Sequence, residues 1–460
     1  MPSSLQRTAK ATADAEAPSY ALSRSPFGLH VINNNDLDGP VEIGAHWTRH
    51  LVLWKQVEPR KGAMVALDQV VRPFNALTNA GIEILPRIVS VAPWAYPERI
   101  NRLNAEAARK SAPMGDWTYL GMPTDVASYR RFLTTIVEAF DGDGFHDAPG
   151  LKKGIKYWQV ENEWDWRWKD TPESFVAFLK IAYETIKAAD PDAKVVLGGI
   201  SKLAPDAFHA GLLGDSFELN GKTITPASLE KLPSFIEEHS LRTYVLEHGY
   251  PYFDIISFHQ YGRYRAIEKE VEYVRGIMRK HNYDKPLWMT EVGGPFVPYG
   301  EVYTEDRHAQ EVVKYYVTAL ANGVEVVFWS TYLPSPVWGT AFTNTSLLDE
   351  HNRKKPAYYS YKLLASMLQG AVRVQRLFSS VRGQLVVFTR KTGERVYVAW
   401  REGGSGAPAP APEKIGPLLE KVQGKILAVT GYDGKLHSVR ELRQQVGDLL
   451  ATGPVFIETR

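Results

Sequence analysis

The apolar positions of this chain fall into short, nearly continuous runs separated by longer stretches with helical spacing. Runs at 26–32, 50–54, 82–91, 155–160, 194–199, 253–259, 287–290 and 324–330 predict eight strands. Between them, Val70, Val71, Phe74 and Leu77 recur on one helical face, as do Phe132, Leu133, Ile136, Val137 and Phe140. The sharpest helix boundary has Thr171 as N-cap and Pro172 in the first turn, with Phe175, Phe178, Leu179, Ala182, Tyr183 and Ile186 on one stripe and Asp190-Pro191 as the stop. Further helices are expected over 228–247, 267–280, 305–321 and 358–368.

Strands that are apolar on both faces belong in a parallel sheet covered by helices, and eight of them close into a (β/α)8 barrel. An open doubly wound sheet is the alternative, but no G-x-G-x-x-G follows the first strand. After Gly370 the spacing changes to period two, in segments 371–377, 384–389, 395–400, 425–430 and 454–458. These predict a small C-terminal antiparallel β-domain of the β-sandwich kind. Residues 403–412, GGSGAPAPAP, read as a loop within it. The expected organisation is a flexible polar leader over 1–25, a catalytic barrel over 26–368 and an accessory domain over 369–460.

Composition removes several function classes. Lys plus Arg number 54 against 52 Asp plus Glu, with no long run of one sign, so no footprint for nucleic acid or an anionic membrane is present. No apolar run reaches the roughly 18 residues of a bilayer span. The absence of cysteine excludes disulfides, thiolate metal sites and cysteine nucleophiles. The leader has no compact apolar core of a signal peptide, so the protein is secreted or periplasmic if one has been removed and cytoplasmic otherwise. His46 and His50 are four apart but on a strand rather than a helix, and no phosphate-binding loop or nucleophile elbow occurs.

The chemistry concentrates at strand ends. In GIKYWQVENEWDWRWKD, residues 154–170, an apolar strand runs into Asn162, Glu163 and a set of tryptophans, and in PLWMTEVG, residues 286–293, another ends in Glu291. In a barrel, strand carboxyl ends form the active site, and strands four and seven face each other across its mouth. Two opposed carboxyls are what glycosidic hydrolysis requires, one to protonate the leaving oxygen and one to meet the positive charge that develops on the sugar. Taken singly, each glutamate reads equally well as a solvated loop residue. Glu161 shares the side of Glu163 in ideal strand alternation and competes for the acid role. Trp164, Trp166 and Trp168 alternate in WDWRW and read as sugar-stacking residues or as a hydrophobic plug, with Trp164 favoured for contact. Trp54, Trp94 and Trp338 are expected to border the cleft, and His259 to belong to the site.

With Asn162-Glu163 ending strand four, Glu291 ending strand seven, Arg49 before Trp54, the W-x-x-x-E-P of Trp54, Glu58 and Pro59, His259 and Tyr261 after strand six and Trp329 on strand eight, the chain resembles the clan-A glycoside hydrolases, and family 39 most among them. The resemblance implies that Glu163 is the acid/base, Glu291 the nucleophile and Asn162 a donor to the hydroxyl beside the reacting carbon. It implies further that Arg49 and Tyr261 hold Glu291 ionised and oriented, and that Trp329 floors the −1 subsite. An arginine keeps a nucleophilic carboxylate charged, and a tryptophan-lined, more apolar place keeps an acid protonated. Carboxyls ~5–5.5 Å apart give retention and ~6.5–9.5 Å inversion. The reading is a retaining glycosidase for a β-linked oligosaccharide or polysaccharide, needing no cofactor or metal. Its rivals are a non-catalytic glycan-binding barrel and a transglycosylase using the same residues.

Overall fold

The computed structural model describes residues 18–30, 32, 37–63, 67–110, 118–214, 216–219, 222–335, 340–380, 383–401, 419–444 and 446–460. Trp338 and the whole of the segment 403–412 lie outside them. In chain order the strands are β1 (Ser19–Ala21), β2 (Phe27–His30), β3 (Trp47–Leu53), β4 (Glu83–Val89), β5 (Tyr157–Asn162), β6 (Lys194–Gly199), β7 (Phe217–Leu219), β8 (Lys222–Ile224), β9 (Ile256–Tyr261), β10 (Leu287–Gly293) and β11 (Val324–Ser330). They are followed by β12 (Ala371–Ser380), β13 (Gly383–Arg390), β14 (Arg395–Arg401), β15 (Ile426–Gly431), β16 (Leu436–His437) and β17 (Val455–Thr459).

Eight strands form one parallel sheet in the order β6-β5-β4-β3-β2-β11-β10-β9. Parallel bridges Val196↔Ile255 and Ile200↔Phe258 join its two ends, which nearly closes the barrel. The interior is built in layers. Trp47, Leu85, Val196, Ile255, Trp288, Val326 and Phe328 form an apolar plug at the amino-terminal end. Gly28 leaves room for it, since a Cβ there would meet the Phe328 ring at 2.7 Å. The next inward positions are polar: Arg49 Nε donates to Gln159 Oε1 at 2.6 Å, and Gln159 Nε2 donates to Ser257 Oγ at 2.8 Å and Thr290 Oγ1 at 3.2 Å. Buried polar groups survive only when hydrogen-bonded, and this layer satisfies its own members beneath the mouth.

The helical face of the sheet holds the main core. Thr171 caps its helix by accepting from Ser174 N, and Pro172–Ala189 buries Phe175, Phe178, Leu179, Ala182 and Ile186. β3 starts at Trp47 rather than at His50, because inward Arg49 interrupts the apolar pattern although it is part of the strand. The helix expected over 228–247 is two, Pro226–Leu229 and Pro233–His248, since Pro233 can open a helix but not continue one. The long stretch after strand three contains the helix Glu98–Lys110.

β7 and β8 pair with each other, and the other strands make a seven-stranded sheet, β1-β12-β13-β14-β17-β15-β16, in which every pairing is antiparallel. Val374, Val386, Phe388, Val396, Val398, Trp400 and Phe456 on one face join the barrel core. Leu385, Val387, Tyr397, Ala399, Val455 and Ile457 on the other pack against Leu442, Leu449 and Leu450. Those three leucines belong to the helices Val439–Gln444 and Val446–Thr452, so the domain is one sheet layered between barrel and helices rather than two facing sheets. The leader, expected to be flexible, contributes β1 to this sheet within its described part.

Candidate active site

The site is assembled where β5, β9 and β10 end. At the end of β5, φ is +70° at Glu161 and +46° at Glu163, left-handed values that side chains other than glycine adopt at a cost of about 1–3 kcal/mol each. The turn breaks strand alternation and delivers consecutive residues, Asn162 and Glu163, to the same mouth. Glu161 is carried away from it, accepting from Ser90 N at 2.8 Å, so it does not share the side of Glu163. After Glu163 the chain makes one helical turn, Trp164–Arg167.

Glu291, on β10, is buried and surrounded by donors. Arg49 Nη1 contacts Oε1, the Tyr261 hydroxyl donates to Oε2 at 2.7 Å, and Arg87 Nη1 lies 3.6 Å from Oε1. Burial alone would raise its pKa, but the attraction of His259 when protonated, of Arg49, of His30 when protonated and of Arg87 outweighs that and holds the carboxyl well below the usual range. Burial drives His30 neutral, so near neutral pH the permanent cations facing Glu291 are the two arginines. Arg49 remains charged, its pKa pulled by burial and Arg87 only to about 10. Tyr261 is pushed well up by burial and by Glu291, which keeps its phenol a donor.

Arg49 Nη2 also contacts Asn162 Oδ1. A guanidinium only donates, so the amide oxygen faces Arg49 and the NH2 of Asn162 is directed elsewhere. Glu163 is 9% exposed; its Oε1 lies 2.9 Å from His259 Nδ1, and its Oε2 accepts from Trp166 Nε1 at 2.9 Å. His259 Nε2 lies 3.7 Å from Glu291 Oε1, so one imidazole stands between the two carboxylates. One carboxylate oxygen of each glutamate and a nitrogen of His259 lie within 4.8 Å of one another. The same three side chains are of a kind that can ligate a divalent cation. Asp141, Asp143 and Asp147 form a second carboxylate group, but all three accept from backbone N–H groups of their own loop.

The structure thus brings together Glu163, Glu291, Asn162, Arg49, His259 and Tyr261. Several tryptophans stand elsewhere. Trp54 is fully buried among Tyr129, Phe132 and Trp94, and donates to Glu58 Oε2 at 2.8 Å. Trp164 is fully buried and stacked on Phe175, with Nε1 on Gly198 O, so it is a packing residue rather than a cleft residue. Trp329 faces the helix layer, against His308 and Tyr315, whereas the next residue, Ser330, turns inward to lie 2.9 Å from the Tyr261 hydroxyl. The floor expected from Trp329 is therefore not formed by that ring. Trp94 is half-buried and donates to Glu58 O at 3.0 Å. Arg87, His30, Ser330 and the bond from Trp166 to Glu163 were not anticipated. A charged residue at an inward position of the apolar run ILPRIV was the signal available for Arg87.

A scan of protein-family models and a search of curated proteins return no match. Solved structures do match. A family 39 glycoside hydrolase from Bacteroides cellulosilyticus WH2 aligns with a TM-score of 0.62 at 17% identity, covering 95% of this chain and 81% of that one. A glucosidase from Croceicoccus marinus aligns at 0.56 and 13%, covering 84% and 78%, and an endo-β1,6-glucanase at 0.53 and 12%, covering 96% and 92%. The nearly closed parallel barrel with its appended antiparallel sheet thus has the fold of these glycoside hydrolases.

Proposed function

We propose that this protein is a retaining glycoside hydrolase acting on a β-linked glycan. The observation that carries the reading is the approach of the two carboxylates, with an oxygen of Glu163 and an oxygen of Glu291 within 4.8 Å. So close an approach supports the close pair of a double displacement over the wider one of inversion.

In this reading ionised Glu291 attacks the anomeric carbon as the proton of Glu163 passes to the glycosidic oxygen. The carbon–oxygen bond breaks with its electron pair on that oxygen, and a glycosyl ester forms on Glu291. Glu163, now a carboxylate, takes a proton from water, which attacks the same carbon, releases Glu291 and restores the original configuration. The NH2 of Asn162, left available by its bond to Arg49, supports donation to the adjacent sugar hydroxyl.

Glu291→Gly should abolish turnover and regain activity with added azide, giving a glycosyl azide of inverted configuration. Glu163→Ala should keep kcat/KM for activated aryl glycosides and give an azide of retained configuration. A fully active Glu291→Gly enzyme would refute the assignment. A panel of aryl glycosides and polysaccharides, read by product size and anomeric form, identifies the sugar and separates hydrolysis from transglycosylation.

A further inference from the structure

The left-handed backbone at Glu163 folds the following turn back, so that Trp166, three residues on, reaches the carboxylate that precedes it. Its indole N–H donates to Oε2 at 2.9 Å, while Oε1 is held at 2.9 Å from His259 Nδ1. The two oxygens are thus fixed by different elements, and rotation of the carboxyl group would break both contacts. An indole nitrogen is a donor only, so its bond to Glu163 has the same polarity in both half-reactions. Unlike its neighbours Trp164 and Trp168, which are buried, Trp166 is only half-buried. Tyr119 stands edge-on to it at 6.5 Å, with the Lys169 ammonium 4.8 Å over the Tyr119 ring. A bridge between Leu120 and Trp168 pins the loop that carries Tyr119 to this turn.

We propose that Trp166 is a positioning residue for the proton donor, and that the part of its indole ring left exposed is where the leaving-group sugar stacks. One side chain then joins binding of the departing sugar to orientation of the acid that releases it. The proposal rests on Glu163 being the acid/base. A proton donor must meet the glycosidic oxygen at hydrogen-bond distance, and a carboxyl free to swing spends less time there. The C–H face of a pyranose packs on an aromatic surface, and Trp166, which bonds to Glu163, retains exposed surface.

The test separates the two functions of the side chain. Trp166→Phe keeps an aromatic face and removes the N–H. Against aryl β-glycosides of graded leaving-group acidity, it should slow those with poor leaving groups on the order of tenfold or more, a fraction of what general acid catalysis contributes. Activated aryl glycosides, which need no proton, should keep their rate, so the leaving-group dependence of kcat/KM steepens. KM for an oligosaccharide should stay near the parent value in Trp166→Phe and rise in Trp166→Ala. Equal slowing across all leaving groups in Trp166→Phe, or an unchanged dependence, would overturn the proposal. A second readout needs no substrate: the indole N–H resonance assigned by its loss in Trp166→Phe should move in Glu163→Gln, and an unmoved resonance would also overturn it. If Glu163→Ala instead lowers kcat/KM for activated and unactivated substrates alike, the acid/base assignment fails, and the indole measurement remains readable.

Discussion

Glu291 keeps its charge in a buried position because guanidinium groups arrive from two strands, Arg49 from β3 and Arg87 from β4. The active form of a nucleophile is the ionised one, present above its pKa. Depressing that pKa therefore moves the acid limb of the pH profile to lower pH. Replacing Arg87 with methionine removes one cation, so the acid limb of kcat/KM should move up by about one pH unit, as expected for an opposite charge at this range. Arg87→Lys should keep the limb near its original place. A limb unmoved in Arg87→Met would show that the depression does not depend on Arg87. At this scale the sequence was readable where a charged or amide residue ended an apolar strand, as with Asn162, Glu163 and Glu291. It was less readable for aromatics, because Trp54, Trp164 and Trp329 have the same composition signal whether they pack outward or face a ligand. Side-chain direction at a strand end depends on backbone angles such as those of Glu161 and Glu163, which residue type does not report.

At the scale of elements, the site depends on how closely β6 and β9 approach. Gly199 ends β6 beneath His259, and a Cβ there would fall 2.0 Å from His259 Nε2 and 2.5 Å from Cδ2. The imidazole therefore rests where only glycine permits it. Gly199→Ala should destabilise the protein by about 1–3 kcal/mol through overpacking, and displace the ring that holds Glu163. Activity should fall on the order of 10- to 100-fold from lost alignment. Adding His259→Ala should relieve the clash and restore the melting temperature without restoring kcat. Both melting temperature and kcat falling further in the double variant would show that Gly199 acts through something other than His259. Apolar runs announced the eight barrel strands because each is covered on both faces. The helices Val439–Gln444 and Val446–Thr452 escaped notice because each is under two turns long and buries few apolar side chains.

At the scale of the whole molecule, the antiparallel sheet shares the barrel's core instead of hanging from it. Trp400 Nε1 lies 3.3 Å from the Tyr264 hydroxyl, Arg376 pairs with Glu268 at 2.7 Å, and Ser360 Oγ donates to Tyr432 O at 2.8 Å. Removing residues 369–460 would expose the barrel surface under Trp400, Val374 and Phe456, so the truncated chain should be largely insoluble or aggregated by size-exclusion chromatography. A monomeric truncation with parental melting temperature would show the sheet to be dispensable. The sheet itself was visible in its period-two spacing, whereas its attachment was not, since contacts made across hundreds of residues leave no local pattern.

That attachment orders events in time. Tyr20, on β1, pairs with Val374 on β12, and Arg275 donates to its hydroxyl at 2.6 Å. The separation is 354 residues (374 − 20), so a ribosome adding ~5–20 residues per second needs roughly 20–70 s between making one strand and making its partner. For that interval β1 lacks the edge of β12 that it joins, while the barrel strands after it emerge. Docking of β1 on β12 therefore has to wait until the barrel strands between them have been made.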